Sequence, residues 1–300
     1  MDTSMTVSRR TVGKRSAEEA VGTEEAQARA TIREVTEVCE NTTEERALEE
    51  TPSYEKKLQE AREKHLGTLV DFNTFEAIYE EDFFNEKALS MVWVDKSPDG
   101  NEAKSRLCVR GFEQHLQKDA SFFSPAPSSV SLRLVLALAQ RRSYDIRFGD
   151  ISATLLHAGI NERVSVRPPK EWTGPAGAFW LLLRTLFCFR RSMKDWNIHF
   201  TSVMAGADFG QNRADPCLYS RTDETSTAIV YVHVDDLLIV GTEGITEKLS
   251  KYLSEQFLHR DFGLLKLGGT QRFLGTYIKK TKKGYRLSNK KELLDSVFQD

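Results

Sequence analysis

Between Ala228 and Gly241 the chain reads Ala-Ile-Val-Tyr-Val-His-Val-Asp-Asp-Leu-Leu-Ile-Val-Gly, and this stretch constrains the fold more than any other. Two apolar runs rich in β-branched and aromatic residues flank a short polar centre, the pattern of two buried strands joined by a tight turn. The turn is expected to carry Asp235 and Asp236. A hairpin shaped for stability alone would place Asn-Gly or Asp-Gly there, and aspartate is among the residues strands tolerate least. Two adjacent carboxylates between apolar walls repel each other and resist ionisation unless a cation sits on them. Local rules are broken in this way where function is built, and a divalent metal would relieve the repulsion. The plain alternative is a solvated loop, so the rest of the chain must supply partners for the two carboxylates.

His233-Val234-Asp235-Asp236 resembles the Tyr-X-Asp-Asp box of reverse transcriptases, in the Val form common in the Ty1/copia retrotransposon family. Further segments resemble that family in its own order. Lys104-Ser-Arg-Leu-Cys-Val-Arg-Gly-Phe-Glu-Gln114 is similar to its Lys-Ala-Arg-Leu-Val-Ala-Lys-Gly-Phe-X-Gln segment. Asp150-Ile-Ser-Ala-Thr-Leu-Leu-His-Ala158 is similar to Asp-Ile-Ser-Thr-Ala-Phe-Leu-His-Ala. Thr185–Trp196 resembles Leu-Tyr-Gly-Leu-Lys-Gln-Ser-Pro-Arg-X-Trp, departing from it with Cys188 for Gly and Met193 for Pro. Arg272-Phe-Leu-Gly-Thr-Tyr-Ile278 resembles a hairpin that grips the primer end.

Around these motifs the chain divides by composition. Residues 1–50 hold 7 Lys/Arg against 12 Asp/Glu and almost no aromatics, so they are expected to form a disordered acidic tail. The formal charge of −2 for the whole chain then leaves +3 for residues 51–300, so any phosphate-binding surface must be a local patch. Helical spacing begins at Tyr54, with Leu58, Ala61 and His65 on one face. Ala88–Asp95 and Ser105–Arg110 read as a hairpin around the turn signal Lys96-Ser-Pro-Asp-Gly100. Ser131 is expected to cap a helix over Leu132–Arg142, apolar nearly all round and therefore buried. Asp145–Ser152 alternates like a strand, which puts Asp150 at its carboxyl end, and a helix is expected to start at Ala153. Phe179–Leu183 reads as a buried strand and Glu243–Phe257 as an amphipathic helix. Gly268-Gly-Thr-Gln271 looks like an inserted loop, and the basic run Lys279–Lys283 is placed at the turn of the Phe273-Leu274-Gly275 hairpin. Four scattered cysteines argue against both zinc and a disulfide framework. No apolar run approaches the roughly 18 residues of a membrane span, and a soluble intracellular protein, cytoplasmic or nuclear, is expected.

The resemblance implies an α+β fold over residues 54–300, the fingers and palm of a right-hand polymerase and the start of a thumb or connection. The palm sheet would be antiparallel with helices on one face. It implies an RNA-directed DNA polymerase that uses two Mg²⁺ ions about 3.5–4 Å apart, Mn²⁺ being a possible substitute. Asp150, Asp235 and Asp236 would be the catalytic metal ligands, and the Ile151 carbonyl would help hold the nucleotide-side ion. Lys104 and Arg106 would reach the triphosphate of an incoming dNTP, and Leu155 would stand where an aromatic blocks a ribose 2′-hydroxyl. His233, Ser192, Phe273, Leu274 and Gly275 would contact primer and template, RNA or DNA. RNase H and integrase modules, usual in the family, are missing from these 300 residues. His233 in place of Tyr, Leu155 in place of an aromatic, and the inverted Ala153-Thr154 pair leave a second reading, a catalytically inactive nucleic-acid-binding remnant.

Overall fold

The computed structural model describes residues 52–83, 87–96, 103–114 and 122–289. The expected tail over residues 1–50 and the expected turn over residues 96–100, save Lys96, lie outside them. The chain divides into units Met1–Glu55 and Lys56–Asp300; apart from the first residues of its first helix, all that follows concerns the second unit.

Helix α1 (Pro52–Asp71) begins on a proline, whose fixed φ and missing N–H suit the first helical position. Leu69 in its last turn is fully buried. Strands β1 (Phe75–Ile78), β2 (Met91–Lys96) and β3 (Lys104–Val109) follow. β2 and β3 pair antiparallel, as expected, with Lys96 opposite Lys104. Helix α2 (Ser129–Arg142) is capped by Ser128 and not by Ser131, the Ser128 hydroxyl accepting from the Val130 N–H. Ser128 is the last residue with extended backbone after the Pro-Ala-Pro segment, which leaves Ser131 inside the first turn. Nor is α2 buried all round: Leu132, Val135, Leu136 and Ala139 face the core, while Val130 and Leu134 are 60% and 65% exposed.

β4 (Asp145–Ile151) runs into a single 3₁₀ turn, Thr154–His157, where a longer helix was expected. Ala153, at φ 53, is in the left-handed region and breaks the helical path at its start. β5 (Ser165–Val166) and β6 (Phe179–Leu182) join β1 in a small sheet of order β1-β6-β5. Helix α3 (Ser192–Gly206), strands β7 (Gly210–Gln211), β8 (Leu218–Thr222), β9 (Thr227–His233) and β10 (Asp236–Gly241), helix α4 (Ile245–Gln256) and strand β11 (His259–Leu264) come next. β12 (Thr270–Phe273), β13 (Thr276–Thr281) and β14 (Gly284–Ser288) form a closing antiparallel meander. Thr270 and Gln271 thus belong to a strand and not to an inserted loop. The meander also relocates the basic run: Leu274-Gly275 joins β12 to β13, whereas Lys282-Lys283 forms the next turn, between β13 and β14.

The main sheet is antiparallel throughout, in the order β11-β4-β10-β9-β8-β7. On one face Val230, Val232, Leu237 and Ile239 meet Trp196, Phe200 and Met204 of α3 and Leu249 and Leu253 of α4. On the other, Ile146, Phe148, Tyr231, Leu238 and Val240 meet α2 and the meander residues Phe273 and Ile278. Helices therefore cover both faces, not one. The reason lies in the two central strands, where Val230, Tyr231, Leu237, Leu238, Ile239 and Val240 are each 0% exposed. Strands without a polar face need cover on both sides. Burial of each such side chain contributes about 1.5–3 kcal/mol. Because both faces are apolar, the hydrophobic pattern cannot by itself fix the register, and the turn between β9 and β10 must do so. A third cluster packs Leu69 of α1 and Leu107 and Val109 of β3 against Trp180 and Leu182 of β6. The α+β class holds, with mixed helices and antiparallel sheets. Among the described residues no helix is long and apolar enough to cross a membrane.

Candidate active site

His233 pairs with Asp236 across β9 and β10, which leaves only Val234 and Asp235 in the turn. Asp236 is therefore the first residue of β10 and not a turn residue as expected. Val234 has φ 54, a region where a β-branched side chain is an outlier. Two-residue hairpin loops normally put Gly, Asn or Asp at such a position. Two hydrogen bonds from outside the hairpin hold this turn. The Ile151 N–H donates to the Asp235 carbonyl at 2.9 Å, and the Trp196 indole Nε1–H donates to the Val234 carbonyl at 3.0 Å.

On its other edge β10 pairs with β4, and Asp150 lies directly opposite Asp236. Sheet register thus gathers Asp150, Asp235 and Asp236, which offer one carboxylate oxygen each within 4.8 Å of one another. Asp235 is exposed and the other two are half-buried. Burial, then the Asp235 charge, raises the Asp150 carboxyl above its ordinary value, against a weaker opposing pull from Ser152, Arg260 and His259. Burial and Asp235 likewise raise Asp236, whose carboxylate also accepts a bond from the Leu274 backbone N–H. Half-buried oxygens that repel one another make a donor set suited to a hard divalent cation such as Mg²⁺ or Mn²⁺.

The other residues singled out in the sequence fall in several places. Leu274 and Gly275, with φ 51 and 73, form the turn that brings the Leu274 N–H to Asp236. His233 is half-buried beside the triad. Phe273 does not face the site: it is 1% exposed, with its ring against Phe148 and Tyr231. Ser192 is likewise 1% exposed and gives its hydroxyl to the Leu186 carbonyl at 2.5 Å, which leaves it no surface for a primer or template. Leu155 is 7% exposed and packs with Ile151 and Trp196, so its side chain belongs to the core beneath the site and not to an open sugar pocket. The Ile151 carbonyl accepts the Thr154 hydroxyl at 2.5 Å. Lys104 and Arg106 are exposed on β3, in a two-stranded sheet separate from the one that carries the triad. The Arg106 guanidinium lies over the Phe187 ring at 5.0 Å. Cys188, where the resemblance puts glycine, has φ 62, so the backbone turns there as a glycine would.

Sequence reasoning passed over Gly149 and His259. A Cβ at Gly149 would fall 2.3 Å from His259 Nε2, so the imidazole crosses β4 on the one residue that admits it, next to Asp150. It also left Trp196 without a role, since nothing in a tryptophan's sequence position reports a bond to a distant carbonyl.

A family model described as reverse transcriptase (RNA-dependent DNA polymerase) matches residues 35–300. The Pol polyprotein of transposon TNT 1-94 from Nicotiana tabacum is 30% identical over 244 residues, 77% of this chain and 18% of that protein. The Pol polyprotein of transposon RE2 from Arabidopsis thaliana is 26% identical over 198 residues, 65% of this chain and 13% of that protein. The chain thus spans less than a fifth of the length of these curated relatives. A solved structure of the foamy viral protease-reverse transcriptase in complex with double-stranded DNA covers 81% of this chain and 37% of its own, with a TM-score of 0.43 and 14% identity.

Proposed function

Since the chain belongs to the reverse transcriptase family of copia-type retrotransposons, we propose that it is an RNA-directed DNA polymerase whose metal ligands are Asp150, Asp235 and Asp236. The observation that carries this reading is the register of β4 against β10, which sets Asp150 opposite Asp236 at the turn bearing Asp235. Bound there, two divalent ions would supply neutralising charge and activation of a primer 3′-hydroxyl for attack on a dNTP. The protein's part is to present unprotonated oxygens in fixed positions. Asp150 is fixed by β4, Asp236 by the start of β10 and the Leu274 N–H, and Asp235 by a turn held at both carbonyls. The second oxygen lone pair of the Ile151 carbonyl, beside the bond from Thr154, is what that group offers an ion. Lys104 and Arg106 would bind the triphosphate as exposed cations one strand period apart. The Leu274-Gly275 turn and His233 would lie along the primer, paired with an RNA or DNA template. No covalent nucleophile is required, because positioning and charge stabilisation suffice for phosphoryl transfer.

The test is extension of a labelled primer on an RNA template in Mg²⁺ or Mn²⁺, run beside a gel-shift on the same duplex. Metal-dependent extension is the expected result. A gel-shift with no extension in either metal would overturn the polymerase reading in favour of a nucleic-acid-binding remnant.

A further inference from the structure

We propose that Trp196 is a positioning residue for Asp235, acting through the Val234 carbonyl; this rests on the reading of the triad as a metal centre. Val234 occupies a left-handed conformation that its branched side chain disfavours, so the turn would relax if nothing held it. The turn's own ladder gives the Val234 carbonyl no partner, because pairing between the strands resumes at His233 and Asp236. What holds the Val234 carbonyl is the indole N–H of Trp196, at 3.0 Å. That indole is itself fixed: Trp196 is 3% exposed and its ring lies 5.5 Å from Phe200 and 5.3 Å from Phe257. A cavity of about 20 Å³, room for about one water molecule, borders Trp196, Val232, His233 and Val234, so the Val234 carbonyl could turn to a water if the bond is lost. Rotation of the 234–235 peptide would shift Asp235 against Asp150 and Asp236, with the Ile151 N–H bond to the Asp235 carbonyl as the remaining restraint from outside the hairpin. The geometry therefore makes the ligand set depend on a donor that touches neither metal nor substrate.

Glycine adopts positive φ without strain, so Val234→Gly should remove the need for the restraint. The experiment measures Mn²⁺ binding by electron paramagnetic resonance on the full chain, for wild type, Trp196→Phe, Val234→Gly and the double variant. With Val234 in place, loss of the indole N–H should weaken Mn²⁺ binding about fivefold, the scale of one hydrogen bond. In the Val234→Gly background the same change should cost less than about twofold, because the loop no longer stores strain. An equal loss in both backgrounds would mean that Trp196 serves only packing and would overturn the proposal. No loss in either would overturn it as well. If Trp196→Phe fails to fold, benzothienylalanine at position 196 keeps the ring volume and removes only the N–H, and the same two comparisons apply. Failure of wild type itself to bind Mn²⁺ would be a different result, overturning the metal-centre reading beneath the proposal.

Discussion

Replacing Asp235 by Asn removes one negative charge from a cluster whose ligand oxygens lie within 4.8 Å of one another. At that separation two unit charges repel by about 3.5 kcal/mol at an effective dielectric of about 20 and by about 0.9 kcal/mol in water. Asp235 is exposed, so the lower figure governs each of its two pairs. The expected gain in metal-free stability is about 1–2 kcal/mol, which in a domain of this size raises Tm by roughly 2–8 °C. The sign follows from the raised carboxyls of Asp150 and Asp236. Their folded-state values lie above the unfolded carboxylate value of about 3.9, so the folded state binds the extra proton between the two. Stability therefore falls as pH rises through that window, and the full penalty stands at neutral pH. The assay is thermal melting of wild type and Asp235→Asn in EDTA, repeated in Mg²⁺. In EDTA at pH 7.5 the variant should melt higher, and its advantage should shrink as pH falls toward 4. In Mg²⁺ wild type should gain stability and the variant should gain little. A variant that melts at or below wild type in EDTA would show that the three carboxylates do not repel as the geometry requires.

Gly149→Ala should destabilise the fold by about 1–3 kcal/mol, because the new Cβ meets His259 Nε2 at 2.3 Å; an unchanged melting temperature would mean that the imidazole moves aside freely. Leu155→Phe should lower stability by a similar ~1–3 kcal/mol, since a larger ring must enter a site that is 7% exposed. If that variant instead melts like wild type while its dGTP-over-GTP preference rises, position 155 faces the sugar as the resemblance implied. Ser128→Ala should cost about 1 kcal/mol through loss of the α2 cap, whereas Ser131→Ala should cost less; the reverse order in denaturant midpoints would restore Ser131 as the cap.

The parts of the site legible in the sequence were those built from strand pattern. The apolar runs on either side of Asp235 declared two buried strands, and the strand-like alternation before Asp150 placed that carboxylate near a strand end. The register that sets Asp150 opposite Asp236 was not legible, because it depends on pairing between segments far apart in sequence. The turn lies one residue earlier than the sequence suggests, because hairpin rules make Val a poor first loop residue, whereas Val234 stands there with its carbonyl bonded by Trp196 and the next carbonyl by Ile151. The unbroken apolar runs of β9 and β10 did carry the signal for cover on both faces, a signal distinct from the alternation of a one-sided sheet. Leu155 and Ser192 drew attention by their motif positions, while their burial is set by the packing around Trp196 and Leu186.

The most direct test of the triad is extension of a DNA primer on an RNA template by Asp235→Asn beside wild type, in the same metal, with primer-template binding measured in parallel. Asparagine keeps the volume and loses the anionic ligand, so extension should fall by at least about a hundredfold while binding stays within about twofold. Extension by the variant above about one part in a hundred of wild type, or extension by wild type in EDTA, would contradict the assignment of Asp150, Asp235 and Asp236 as a metal-dependent polymerase centre.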